Sequence, residues 1–285
     1  MEAQQYFAIG LYISVLVVVV PLGLVWTAER RANLVRLFSL RHGLAVPPAA
    51  QPMAERLLVA QRRGGAAAFL VGFTAVCPAL YLGWPSNERD GLGSLSALFV
   101  MLAVFSLQWL GGAVAVVLAE RPAPDAPRVA RLSEARLADY LPPALRWWGP
   151  GMLVVAGLVT AAYVASPPRR DGWISPGGAL AGLGLAVVVE GSSQVVARGL
   201  LHAPQPAEDA AGLAVRDVVK GELLASLALG FASQLLVAAL VLERFPGQPA
   251  LPLVVAALFV PQLVLHADQR RRVRRLVASV APTRP

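Results

Sequence analysis

The sequence predicts an all-α integral membrane protein with seven transmembrane helices, its N-terminus outside and its C-terminus in the cytoplasm. Three observations predict it. Of 285 residues, 56% are hydrophobic and only 15% are charged, where a soluble domain carries about 25% charged residues. The apolar residues gather into runs of about 18 or more, the length that crosses a bilayer. The basic residues fall almost wholly on one side of those runs.

The first span is expected at 7–26. The chain opens Met1-Glu2-Ala3-Gln4-Gln5, and positive charge arrives only after the run, at Arg30 and Arg31. A cleavable signal peptide opens with basic residues, so this run reads as an anchor with its N-terminus outside. Six more spans are expected at 66–84, 94–118, 149–165, 177–200, 222–242 and 250–266. With that spacing, segments 27–65, 119–148, 198–221 and the basic tail 267–285 share one side and hold 21 of the 25 lysines and arginines. The other side holds only Arg89, Arg169, Arg170 and Arg244. Trp26, Trp84, Trp147, Trp148 and Trp173 fall at span ends, where indoles favour the headgroup region.

The inner loops share a layout. Each carries a proline-bearing linker (Val46-Pro47-Pro48, Arg121-Pro122-Ala123-Pro124, Ala203-Pro204-Gln205-Pro206) and then an amphipathic stretch, near 54–63, 132–141 and 213–223. These stretches read as short cytoplasmic interfacial helices with snorkelling arginines. A shift of 82 residues aligns Tyr81 with Tyr163, Pro85 with Pro167, and Pro122 and Pro124 with Pro204 and Pro206. The expected architecture is therefore one leading helix plus three hairpins in parallel copies. Such copies differ from the inverted repeats of many secondary transporters.

Glu190 is the residue that membrane packing does not require. It lies near the middle of the fifth span, and an ionised carboxylate there costs at least about 2.5 kcal/mol on insertion scales. No mid-span arginine or lysine is expected to pair with it, so it is expected to face the bundle, protonated or hydrogen-bonded to amide or hydroxyl groups. Gln194 lies one turn on, beside Ser193. Gln108 matches Glu190 in the 82-residue shift, and Gln262 lies at similar depth in the seventh span. Together these residues make a candidate intramembrane polar site: either interhelical polar contacts or a path for an ion, proton or ligand. Gly178 and Gly182 form a Gly-x-x-x-Gly that permits close helix approach.

The composition also excludes classes of function. Cys77 is the only cysteine, so neither an intrachain disulfide nor a cysteine zinc site is expected. His42, His202 and His266 have no ligand spacing, so no metal site is expected. The net charge of +8 flanks apolar runs and forms no basic domain, which argues against nucleic acid. No motif names a chemistry, and neither enzyme activity nor a cofactor is expected. The expected contacts are the lipid bilayer, a membrane protein partner or a second copy, and anionic headgroups at Arg270, Arg271, Arg272, Arg274 and Arg275.

The outer-loop segment Arg170-Asp171-Gly172-Trp173-Ile174-Ser175 resembles a loop in the bacterial membrane immunity proteins of the sporulation-delaying-toxin type. That resemblance implies an immunity-type role and covers six residues. The expected function is a non-enzymatic accessory, regulatory or immunity-type component of a bacterial plasma membrane. The alternative is a small transporter or permease subunit with a polar path at Glu190, Gln108 and Gln262.

Overall fold

A computed structural model describes residues 23–24, 26–44, 46–82, 92–120, 136–166, 174–202 and 210–244, with isolated residues 263, 267 and 271. Among them the fold is all-helical. Three stretches are long and apolar enough to cross a membrane: Pro143–Ala165, Pro176–His202 and Gly212–Arg244. The expected first and seventh spans lie outside the described residues, apart from isolated positions, as does most of the Arg170–Ser175 loop.

Helix α1 is Ala28–His42, in a segment expected only to be a basic loop. Thr27 caps its start, its hydroxyl accepting from the Arg30 amide at 3.3 Å. Gly43 closes it in the left-handed region (φ 63°) while the Leu44 amide bonds the Ser39 carbonyl at 3.1 Å, a cap that glycine makes without a Cβ penalty. A short 3-10 turn, Pro48–Ala50, leads into α2, Gln51–Leu82. The stretch 54–63 is therefore not a separate interfacial helix. It is the first third of α2, because nothing from Ala54 to Gly65 breaks the helical ladder and Leu57, Leu58 and Val59 are buried.

Helix α3, Leu92–Ala119, is the most extensive partner of α2. Small residues make the approach possible. A Cβ on Gly64 would strike Ala115 and the Gly111 carbonyl, and a Cβ on Gly111 would strike Ala68 and the Gly64 carbonyl. Small residues four apart on both helices let backbones touch, which suits association in lipid, where apolar surface alone gives little drive.

The stretch 132–141 also departs from expectation. Its described part is a single turn, α4, Leu137–Tyr140. Tyr140 and Leu141 are buried and pack inward rather than lying flat on a headgroup layer. Helix α5, Pro143–Ala165, and helix α6, Pro176–His202, match the fourth and fifth expected spans. Both expose large apolar side chains, among them Val154, Leu158, Val188 and Val195. Trp147 stands exposed near the start of α5. Of Gly178 and Gly182, only Gly182 meets another helix, with Leu236 at 2.8 Å from where its Cβ would stand.

The largest departure is at the sixth span. It is two helices, α7 (Ala210–Ala228) and α8 (Phe231–Arg244), interrupted at Leu229–Gly230. Gly230 is left-handed, φ 60°. Within its most apolar window, Gly212–Arg244 is 76% buried, against 17% and 22% for α5 and α6. The stretch 213–223, expected at the interface, is instead the centre of the molecule. Both its apolar and its charged side chains are buried, and α2, α3, α4, α5 and α6 surround it. Val215, Val218, Leu223 and Leu224 pack there with Leu57, Val116, Leu145 and Leu200. A second cluster joins Ala156 of α5, Ala179 and Ala186 of α6, and Leu236 and Leu240 of α8.

Candidate functional site

Glu190 lies at the break between α7 and α8. Helix α6 carries it inward, and its residue is only 5% exposed. Gln194, one turn on, donates from Nε2 to Glu190 Oε1 at 3.2 Å. Ser193 is buried beside it. Two glycines make room for the carboxylate. A Cβ on Gly149 of α5 would collide with Glu190 Oε1, and would lie 3.1 Å from the Ala228 carbonyl oxygen. A Cβ on Gly230 would lie 2.9 Å from Gly149 Cα and 3.5 Å from both Glu190 Oε2 and the Gly149 carbonyl oxygen.

Local sequence explains both approaches. Gly149-Pro150-Gly151 places a proline inside α5, which removes one backbone donor and loosens the ladder there. Gly230 adopts a backbone conformation that an L side chain resists. The chain beyond it restarts as α8, where Gln234 donates its backbone amide to the Gly230 carbonyl at 3.2 Å and its side-chain amide to the Leu229 carbonyl. Gln234 is thus a capping residue for the break. Ser233, which lies three residues after Gly230, has a buried hydroxyl with no hydrogen-bond partner.

Of the other residues expected to line a path, Gln108 lies elsewhere. It is half-buried on α3, and its Cγ lies 3.3 Å from where a Gly65 Cβ would stand. It therefore fills the α2–α3 seam. Gln262 lies outside the described residues. Of the tail arginines Arg270, Arg271, Arg272, Arg274 and Arg275, only Arg271 is described, and it is exposed.

A second polar cluster, not singled out from the sequence, surrounds the first half of α7. Arg216, Asp217 and Lys220 are all buried. The Arg216 guanidinium lies 3.7 Å from the Glu120 carboxylate, one residue past α3, and its Nε points at Met53 Sδ of α2 at 2.9 Å. Tyr140 of α4 donates its hydroxyl to Asp217 at 2.7 Å. At the C-terminus of α1, His42 Nε2 lies 3.1 Å from Glu222 Oε1 and Arg41 lies 3.5 Å from the same oxygen. Burial pushes the Glu120 carboxyl above the ordinary carboxylate range, against the opposing pull of the Lys220 and Arg216 charges.

The signal for this cluster was the lysine itself. Lys220 is the only one in a chain with 24 arginines, and it stands on the same face as Arg216, four residues before it. An exposed position would accept either cation. A buried one selects, because arginine and lysine differ in shape and in hydration.

Among the described residues, the histidines do not form a set: His42 is buried against Glu222 while His202 is exposed. No group of three or more histidine, cysteine or acidic side chains is placed to hold a metal among those residues. Comparison with protein-family models, with curated proteins and with solved structures finds no match for this chain.

Proposed function

We propose that the chain is a non-enzymatic, multi-pass component of a bacterial plasma membrane, of accessory or regulatory type. In this reading it has seven spans, N-terminus outside and C-terminus inside. The observation that carries the reading is the central broken helix. Its charges are paired to α1, α3 and α4 at one end, and its break is packed closely on Glu190 and Gly149. Helices with exposed apolar side chains, α5 and α6, pack against it. Such a bundle holds several inner segments in one arrangement, which suits a protein that presents its basic cytoplasmic face to a membrane partner.

A second reading, a small transporter, draws support from one feature. Discontinuous membrane helices frequently build ion and substrate sites, and the α7–α8 break faces a carboxylate. Two experiments test the pair of readings. Reporter fusions at each loop are expected to place 27–65, 119–148, 198–221 and the C-terminus inside; a cytoplasmic N-terminus would overturn the architecture. In proteoliposomes holding the full chain, the accessory reading expects no solute or ion flux above empty vesicles. A flux abolished by Glu190→Gln would replace it with the transporter reading.

A further inference from the structure

The oxygens around Glu190 pose an electrostatic problem. Both carboxylate oxygens lie against the Gly149–Gly230 contact, together with the carbonyl oxygens of Ala228 and Gly149. Ala228 ends α7, and the C-terminal carbonyls of a helix carry a partial negative charge of about half an electron. An ionised carboxylate beside them is repelled in a medium that screens poorly. Among the described residues the one donor on it is the Gln194 amide, which supplies a hydrogen bond and no net charge. No ion pair among the described residues reaches it. Arg216 and Lys220, the cations of α7, are engaged in the first half of that helix.

We propose that Glu190, with the backbone carbonyls of Ala228 and Gly149, binds one monovalent cation, Na⁺ or a proton. Na⁺ would turn these four mutually repelling oxygens into a ligand set, whereas a proton would bond to one carboxylate oxygen and donate to one carbonyl. Unwound backbone at a helix break is the usual source of such carbonyl ligands in membranes; Ala228 stands at the break, while Gly149 lies within α5 one residue before Pro150. A single carboxylate balances a single positive charge. Calcium calls for six to eight oxygens and generally more than one acidic group, so a divalent ion does not fit. Gly149 and Gly230 are then required because a Cβ on Gly149 would strike Glu190 Oε1 and one on Gly230 would strike Gly149 Cα. The buried Ser233 hydroxyl, three residues after Gly230, lies in the first turn of α8 near the same break. The site is independent of transport: an ion held there would also lock the break in an accessory protein.

The test uses the purified full chain in lipid nanodiscs, with no flux measured. Equilibrium binding of radioactive Na⁺ is followed across pH, with choline as the control ion. In parallel, the infrared C=O stretch of protonated carboxylic acids is recorded. One Na⁺ per chain, displaced by protons and lost in Glu190→Gln, supports the sodium form. No Na⁺ binding, with an acid C=O band that is absent from Glu190→Gln and disappears on alkaline titration, supports the proton form. Na⁺ binding unchanged in Glu190→Gln overturns the proposal, as does a carboxylate ionised throughout with no Na⁺ bound. Should Glu190→Gln fail to fold, Glu190→Asp keeps the charge but retracts it by one methylene. It is expected to weaken Na⁺ binding about tenfold or more, equivalent to about 1.4 kcal/mol, or to alter the acid band in the proton form. An Asp variant identical to wild type in both would equally overturn it.

Discussion

Two glycines share a backbone conformation but not an environment, and that difference makes a quantitative prediction. Gly43 (φ 63°) ends α1, and a Cβ there would meet nothing within 4 Å. Gly230 (φ 60°) breaks the central helix, and a Cβ there would stand 2.9 Å from Gly149 Cα. Gly43→Ala therefore costs only the left-handed penalty, about 1–2 kcal/mol. Gly230→Ala costs the same and must also push apart two backbones, an overpacking cost of about 1–3 kcal/mol. The expected total is about 2–5 kcal/mol, a large share of the stability of an ordinary domain. Unfolding each variant by SDS titration in mixed micelles, followed by helical circular dichroism, measures both. Equal costs for the two substitutions would refute the close α5–α7 contact and, with it, the site built on it.

Further outcomes concern the charges and the seams. Tyr140→Phe leaves Asp217 buried without its hydroxyl donor and is expected to cost about 2 kcal/mol in the same assay, as hydrogen bonds to charged groups do. Lys220→Met removes a cation from a buried network and is expected to cost about 3–5 kcal/mol, whereas Arg62→Ala, exposed on α2, is expected to change stability by less than about 0.5 kcal/mol. Glu120 sets a pH dependence. Its carboxyl sits above its ordinary value of 4.5 in the folded chain, so the folded state holds the extra proton. Its contribution is complete below about pH 4.5 and is lost as pH rises through the shifted value; Glu120→Gln is expected to flatten that slope. Gly111→Ala is expected to loosen the α2–α3 seam, because its Cβ would strike both Ala68 and the Gly64 carbonyl.

The all-helical, membrane-compatible class was legible because it depends on composition and run length alone. The bounds of α6 and the end of α5 were legible for the same reason, but α5 begins at Pro143, six residues before the expected start, because the helix carries its ladder through Arg146 and Pro150. Glu190 was legible because a mid-span carboxylate is costly wherever it points. What surrounds it was not. Gly149 and Gly230 are two among 25 glycines, and only the tertiary approach of α5 to the break gives them a role. The charged half of α7 was misread for a physical reason. Arg216, Asp217 and Lys220 among apolar residues look the same whether the polar side meets water or meets Glu120 and Tyr140. Amphipathicity reports that a helix has two faces and not what each face touches. Gln108 shows the converse, since its match to Glu190 in the 82-residue shift placed it at similar depth but in a different seam.

The order of partners along the chain bears on how the protein is made. Among the described residues, His42, Met53, Glu120 and Tyr140, which meet the polar side chains of α7, and Gly149 and Glu190, which pack on the break, all lie upstream and are synthesised before α7 emerges. A ribosome delivers α7 with three buried charges in its first half, and a lone helix that slid them toward lipid would meet a cost that rises to about 2.5–3.5 kcal/mol each at the bilayer centre. Helices α5 and α6, apolar on their outer faces, need no such help. The sixth span is therefore a late guest in a prepared cavity, and a biogenesis experiment would find its insertion efficiency set by residues translated long before it. Substitutions at Glu120 or Tyr140 would then show first as failed insertion of α7, before any change in the finished protein could be measured.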